Sequence, residues 1–466
     1  MSDPSEPAAH PRTDQARPPR SVAIVFWLLV GAVGWNGLGP IWLAALRPAD
    51  GRVNDFYQDW GSARNYVVGM PVYSPHSRSI PRHLGLSANP NPTIEYNAHP
   101  PSSVLLALPL ARLAYPDAVL IWNSATLIAF AAALGLLARE LALGWRAGLV
   151  CVALLAYCHP VYGNVYQGQL TLLLVLLVVV VWILDRRGRE NLAGAVVGAA
   201  AAIKLFPAYL LVVFAARSRL RPIAWAGAVL AIVSLATAWI LGFEAYRDYV
   251  RVVLPDQARF RSYGFNIALA GFWYKLFDPA SETGLVASLY PSPALARVGT
   301  LASDLAVTLL VVAASARART RPERDLAFSL AVVGMLLVSP VTWGFSLPLL
   351  LVPAAVLARE STRGPVALGV LIAAAVVAWI PQSLFMSLVG EPTGPASPAF
   401  MLGAPALKFY VLMAMLGLLA RACFSRRESP ARIALNEDSA DQTPGPVPQP
   451  RVRSRPVAVG RPDGAP

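Results

Sequence analysis

PPSSVLLALPLARL, residues 100–113, is the stretch on which the reading of this chain turns. A helix needs about 20 predominantly apolar residues to cross a bilayer, and this run is several short. Read as a helix lying in the interface or dipping partway in, it leaves the chain on the side where it already was. PDAVLIWNSATLIAFAAALGLLARE (116–140) then runs inward, WRAGLVCVALLAYC (145–158) returns, and LTLLLVLLVVVVWILDRRGRE (170–190) runs inward again. The basic clusters at the ends of these runs then lie on the cytoplasmic side, where Lys and Arg accumulate in short loops. Counted as a span, residues 100–113 would turn the same clusters outward.

The rest of the chain extends this alternation. With 466 residues, 56% of them hydrophobic and 14% charged, and a mean hydropathy of +0.52, the apolar content exceeds what a soluble core of this size hides. SVAIVFWLLVGAVGWNGLGPIWLAAL (21–46) is long enough to be a first span, and the Pro- and Arg-rich arm 1–20 before it reads as disordered and cytoplasmic. That first run is too long, and lacks the small-residue cleavage site, to be a removable signal peptide. NLAGAVVGAAAAIKLFPAYLLVVFAARSRLR (191–221) is too long for one simple helix and is interrupted at Lys204 and Pro207, so a hairpin of two short segments fits it. PIAWAGAVLAIVSLATAWILGF (222–243) and ARVGTLASDLAVTLLVVAASARA (296–318) flank a polar outer stretch. Four further segments follow near 326–342, 345–358, 365–388 and 405–422. The expected fold is therefore an all-α polytopic membrane protein of about 12 spans. It has external loops at about 47–115, carrying interfacial helices, and at 244–295. The membrane domain covers 21–424, and a disordered Pro/Arg-rich cytoplasmic tail covers 425–466.

The formal net charge of +13 does not point to nucleic acid, because the basic residues sit in short clusters between apolar runs (DRRGRE, RSRLRP, RARTRPERD). Cys151, Cys158 and Cys423 lie in or beside apolar runs without metal-ligand spacing, so neither a disulfide framework nor a zinc site is expected.

Ionisable groups are costly in a membrane and become candidates for function by default. VNDFYQDWGSARNYVVGMPVY (53–73) holds Asp55 and Asp59 just where the first run emerges. On a helix beginning near Asn54 the two carboxylates share a face; alternatively, Asn54 or Asp55 caps that helix. Lys204 sits beside the break in the hairpin, placed either to snorkel to the interface or to hold a phosphate as a point charge. Gln167 and Gln169 open the following span, where they would hydrogen-bond a polyhydroxylated ligand or cap the helix. His99 and His159 stand beside prolines, a setting in which histidine is commonly a structural hydrogen bonder. Arg247, Arg251, Arg259, Arg261 and Lys275 fall on the side where basic residues are unexpected. They either await an anionic partner or pair with Glu244, Asp248, Asp256 and Asp278 as a solvated surface.

Taken together, these motifs resemble glycosyltransferase family 87. The resemblance runs from about residue 25 to 422 and rests on Asp55 with Gly69 and Tyr73 after it, Pro100-Pro101, Gly168-Gln169, and the small-residue hairpin from Ala193 to Pro207. An NxxLxG box (Asn266, Leu269, Gly271) and SPVTW (339–343) complete it. It implies a GT-C-type bundle and an inverting transfer of a hexose, mannose in the members it most resembles. The donor it implies is a polyprenyl-phosphate sugar and the acceptor a lipid or glycan. The reaction would lie at the external face of the cell membrane, with both chain termini inside. By motif position Asp55 is the general base. Asp59, Tyr66, Tyr73, His99, Gln167, Gln169 and Asn266 would form the acceptor or sugar pocket, and Lys204, Arg259 and Arg261 would meet the donor phosphate. No cofactor, metal or nucleic acid is implied beyond the lipid-linked co-substrate and the membrane lipids. Gly344 and Phe345 depart from the family pattern, which often has polar or histidine residues after SPxSW, so His99 or His159 would substitute or the acceptor is handled differently. The rival readings are a transporter or flippase and a non-catalytic envelope scaffold. A transporter of this size often repeats its broken helices in both halves, and the hairpin at Lys204 has no evident counterpart.

Overall fold

Apolar runs in this chain stop where the backbone loses a hydrogen bond or turns left-handed, and those stops set the helices. The computed structural model describes residues 39–90, 94–144, 148, 158–278, 288–361, 365–381, 384, 400, 402–403 and 406–425. Most of the first run, most of 145–158, the arm 1–20 and all but the first residue of the tail 425–466 lie outside the described residues. After a helical end at 39–46, the outer segment forms α1 (Phe56–Val67) and α2 (His76–Leu84). Pro101 then starts α3 (Pro101–Ala107), which continues as a 3-10 turn over Leu108–Leu110. Those ten residues extend roughly 15 Å at the helical rise, half of a hydrocarbon core of about 30 Å.

Longer helices follow: α4 (Tyr115–Glu140), α5 (His159–Gln167), α6 (Thr171–Arg186) and α7 (Glu190–Ile203). At Lys204 the backbone is extended (φ −145°, ψ 134°), and the chain resumes as a 3-10 turn, Phe206–Leu210, and α8 (Leu211–Ala216). The broken hairpin expected at Lys204 and Pro207 is thus present. Next come α9 (Leu220–Leu241), a set of short turns over 243–262 beginning with α10 (Phe243–Asp248), and α11 (Leu269–Phe277). The chain closes with α12 (Pro293–Arg317), α13 (Arg321–Val338), α14 (Leu351–Ser361), α15 (Pro365–Trp379) and α16 (Leu407–Ser425). Among the described residues there is no strand.

Among the described residues four helices, α4, α9, α12 and α16, are long and apolar enough to cross a membrane by length and composition. The expected 12 spans include the first run and 145–158, most of which lie outside the described residues, so the two counts cover different parts of the chain. Hydropathy counts apolar runs, whereas prolines and the extended Lys204 cut several of those runs into helices of ten to seventeen residues. Apolar stripes on the outside mark the lipid-facing side: Ile232, Leu235 and Trp239 on α9, and Leu301, Leu305 and Leu309 on α12, are all well exposed.

α7 and α9 approach closely because Gly194 and Gly198 are four residues apart on one face, as small-residue helix pairs require. A Cβ at Gly194 would lie 2.0 Å from the Pro222 carbonyl oxygen, and one at Gly198 would lie 2.3 Å from that of Ala226. Gly198→Val should therefore separate the two helices and cost about 1–3 kcal/mol or more. A thermal melt in detergent is expected to drop by several degrees; an unchanged melt would contradict this packing.

Ion pairs define one pole. Glu140, at the end of α4, accepts from Arg186 (3.1 Å), Arg187 (2.7 Å) and Arg321 (2.7 Å). Asp185 accepts from Arg217 at 2.9 Å, and Asp325 accepts from Trp182 Nε1 at 3.0 Å and from Arg186. Residues from the basic clusters at 185–190, 217–222 and 317–325 therefore meet at one end of the bundle, and a fourth cluster, RRESPAR, lies outside the described residues. At the opposite end of α4, Asp117 pairs with Arg47 at 2.9 Å, and there the polar segment around Asp55 packs.

Candidate functional site

The site begins with how α1 starts. Asn54 accepts the Phe56 backbone N–H at 3.2 Å through Oδ1 and also accepts the Tyr115 hydroxyl at 2.7 Å. Asp55 makes no side-chain cap bond, so Asn54 caps the helix and leaves the Asp55 carboxylate available. Gly168 makes the next contact possible. Its φ of +66° ends α5, and a Cβ there would lie 2.6 Å from Phe56 Cβ, so a side chain would clash as well as strain the backbone. The Trp122 indole stacks on Phe56 at 4.5 Å and donates to the Gly168 carbonyl at 2.9 Å, fixing the turn. Gln169 then donates through Nε2 to Asp55 Oδ2 at 2.5 Å, and Lys204 Nζ donates to Gln169 Oε1 at 3.3 Å. The hairpin break, the start of α6 and the start of α1 are thus linked as Lys204–Gln169–Asp55.

Four residues on, Asp59 is 1% exposed and saturated. Oδ1 accepts from Ser103 Oγ at 2.6 Å and Asn97 Nδ2 at 3.3 Å, and Oδ2 accepts from His99 Nδ1 at 2.8 Å. The Tyr73 hydroxyl donates to the His99 carbonyl at 2.7 Å, and His99 N–H donates to Asn97 Oδ1 at 2.9 Å. The whole HPP turn is therefore pinned around Asp59. Because an ionised carboxylate only accepts, His99 Nδ1 carries the proton toward it.

Their environments push the two carboxyls apart. Burial is the largest influence on Asp55 and holds it above its ordinary pKa. The Gln169 hydrogen bond and the charges of His99 and Lys204 pull downward, and the Asp59 carboxylate pushes up. Burial acts upward on Asp59 too, but the charge and hydrogen bond of His99 with the bonds from Ser103 and Asn97 outweigh it, and Asp59 sits below its ordinary value. One carboxylate is a stronger base than usual and the other a fixed negative charge.

A cavity of about 360 Å³ opens beside Asp55, lined among others by Arg52, Gln58, His76, Tyr166 and Gln167. Of the residues singled out by sequence, the structure brings Asp55, Asp59, His99, Gln169 and Lys204 into one electrostatic unit, and Gln167 onto the cavity wall. Tyr73 is buried beneath His99, and Tyr66 stands exposed without lining the cavity. Asn266 does not line this cavity, and its side chain is fully engaged. Oδ1 accepts from the N–H groups of Ala268 and Thr342 at 3.0 Å each, and Nδ2 donates to the carbonyls of Arg261 and Pro340 at 3.0 Å each. It clamps the NxxLxG box to SPVTW. Arg259 pairs with Asp256 at 3.1 Å and Arg261 donates to the Tyr274 hydroxyl at 3.3 Å; neither is hydrogen-bonded to the Asp55 unit. Arg247 pairs with Glu244 and Asp248, in line with the solvated-surface reading for that residue. Beside the Gly344-Phe345 departure, the Phe345 carbonyl accepts from Asn164 Nδ2 at 2.6 Å. Gly163 adjoins both Phe345 and His159. Among the described residues no three His, Cys, Asp or Glu side chains gather closely enough to hold a metal ion.

Asn97, Ser103, Gln58 and Arg52 were missed in the sequence, whereas Asn54 was singled out as a candidate cap. Of those missed, only Ser103 carried a signal, as a hydroxyl in the first turn after Pro100-Pro101 that faces back toward Asp59.

The profile of glycosyltransferase family 87 matches residues 97–340, just over half of the chain. No curated protein and no solved structure gave a match. The matched range holds His99, Gln169, Lys204 and Asn266, and Asp55 lies before it, joined to the range by the hydrogen bond to Gln169.

Proposed function

Since the chain belongs to glycosyltransferase family 87 and is a membrane glycosyltransferase, we propose that it transfers a hexose, mannose, from a polyprenyl-phosphate donor to a lipid or glycan acceptor with inversion, Asp55 serving as general base. The observation that carries this reading is the Lys204–Gln169–Asp55 chain, which sets a carboxylate of raised basicity and a lysine on two ends of one glutamine.

The chemistry balances on these groups. Asp55 Oδ1, which accepts no hydrogen bond among the described residues, takes the proton of the acceptor hydroxyl as that oxygen attacks the anomeric carbon. The bond from that carbon to the phosphate oxygen breaks with its electron pair, and the lipid monophosphate leaves carrying one more negative charge. Lys204 has three N–H donors and spends one on Gln169, so two remain for the developing phosphate charge. Its neighbour Leu205 is half exposed and offers apolar surface for the donor's polyprenyl chain. Asp59 and its partners hold His99 and the HPP turn against this unit. No cofactor has a role in the scheme, and the reaction lies on the external face of the cell membrane with both chain termini inside.

Membranes containing the protein, supplied with radiolabelled polyprenyl-phosphate mannose, should incorporate label into a lipid or glycan product. Incorporation from nucleotide sugars alone, or vectorial solute movement without incorporation, would contradict the reading. Gln169→Met keeps the length of the side chain and removes both hydrogen bonds. A hydrogen bond to a charged group is worth about 1.5–3 kcal/mol, so kcat/KM should fall about 10- to 100-fold while the protein melts as before. A wild-type rate in this variant would remove Gln169 from the positioning role.

A further inference from the structure

Arg52 stands three residues before Asp55 and has no assigned role. Its guanidinium lies 3.6 Å from the centroid of the Tyr166 ring. Nη2 donates to the Tyr166 carbonyl at 3.1 Å and Nη1 to the Ala44 carbonyl at 3.4 Å. Both acceptors are neutral, and among the described residues no carboxylate lies within ion-pair distance of Arg52. Two of its five N–H groups are thereby engaged, and the stacking fixes the plane of the remaining three. Arg52 and Asp55 line the same 360 Å³ cavity. That volume is at the small end of the range of about 300–1,000 Å³ for small-molecule sites, enough for the end of a glycan.

Apart from Asp55 the rest of the wall carries no acidic group: Asn54, Gln58, Asn89 and Gln167 supply amides, Tyr57 and Tyr166 supply rings, and Val53, Ile80 and Ile94 supply apolar surface. His76, the other basic residue there, is held by the Ile94 carbonyl at 3.0 Å. Burial keeps its imidazole below the ordinary pKa, and therefore neutral at pH 7. Lys204 reaches Asp55 through Gln169 and does not line the cavity. The base thus has one cation behind Gln169 and another on the open wall. In an inverting displacement the leaving phosphate and the attacking hydroxyl lie on opposite sides of the anomeric carbon, so one oxyanion cannot serve both.

We propose that the cavity is the acceptor subsite and Arg52 its oxyanion-reading residue, so that the acceptor carries a phosphate or carboxylate close to the hydroxyl that Asp55 deprotonates. This rests on Asp55 being the base. A planar guanidinium held by stacking matches either oxyanion through paired N–H groups.

The test measures equilibrium binding of three probes to the wild-type protein in lipid nanodiscs: an octyl hexoside, the same hexoside phosphorylated at its primary hydroxyl, and the matching octyl hexuronoside. At least one anionic probe should bind about tenfold or more tightly than the neutral one, and which one does so separates a phosphate from a carboxylate acceptor. Arg52→Gln should bring the anionic-to-neutral ratio within about twofold of unity, and Arg52→Lys should retain part of the preference. Equal binding of all three probes by the wild-type protein overturns the inference whether or not the variants fold, and so does an undiminished preference in Arg52→Gln. Transfer from the lipid-phosphate donor, assayed on the same wild-type preparation, keeps the two claims apart. Transfer without anionic preference removes the role of Arg52 alone, and anionic preference without transfer removes the transferase reading.

Discussion

Asp55→Asn is expected to lower sugar transfer about 10²- to 10⁴-fold, the usual contribution of a positioned general base, while the protein stays as stable as the wild type or becomes more so. The stability half follows from linkage. The pKa of Asp55 is raised in the folded protein, so the buried carboxylate disfavours folding at neutral pH, and this cost is relieved as pH falls through the folded value. Asparagine removes the charge and can still accept the Gln169 hydrogen bond through its carbonyl. A variant inactive because it is misfolded would lose its melting transition; one inactive for want of a base would keep it. Full transfer by a folded Asp55→Asn protein would take the proton-accepting role away from this residue.

Asp59→Asn makes the same chemical change four residues later and should do the opposite to stability. The pKa of Asp59 lies below its ordinary value, so its ionised form stabilises the fold above the unfolded pKa, and that contribution is lost as pH falls through the folded one. Three side-chain donors, from His99, Ser103 and Asn97, converge on it. An amide presents a single acceptor oxygen and turns its own N–H groups toward at least one of these donors. A buried donor left unsatisfied costs about 1–3 kcal/mol, so on the order of 3 kcal/mol is expected, read as a fall of several degrees in the melting temperature. The HPP turn should loosen and transfer should decline with it. A melt equal to that of the wild type would show that the network around Asp59 contributes little.

The contrast between these aspartates shows what could be read in the sequence. Asp55, Gln169 and Lys204 stood out because each is a polar or charged side chain at the border of a long apolar run, where burial without a partner is costly. Lys204 also lies at a proline-marked break, and the structure has its extended backbone there. Asn97 and Gln58 gave no such contrast, being uncharged polar residues in an already polar segment. They matter only because the fold brings the segment around Asn97 back onto α1, where Asn97 donates to Asp59 and Gln58 accepts the Ala98 N–H at 2.9 Å. Asn54 and Asp55 were equivalent as helix caps until Tyr115, 61 residues distant, fixed Asn54 in that task. Asn266 was read as a pocket residue, and its placement as a clamp depends on carbonyl and amide groups of Pro340 and Thr342 that no local pattern points to. The hairpin at 191–221 was legible because the run is too long for one simple helix and Lys204 and Pro207 mark where the backbone stops, which is where the structure is extended. The ten-residue helix and turn at 101–110 were legible for the converse reason, since fourteen residues are too few to cross whatever their company.

The claim that Asp55 accepts the proton is tested most directly by single-turnover transfer from a preloaded polyprenyl-phosphate sugar, followed as a function of pH. A base must be deprotonated to act, so the rate should fall on the acid side with an apparent pKa above the ordinary carboxylate range, the direction in which burial moves Asp55. The residual rate of Asp55→Asn should lack that limb. A wild-type rate independent of pH down to about pH 4, or the same acid limb persisting in Asp55→Asn, would contradict the account.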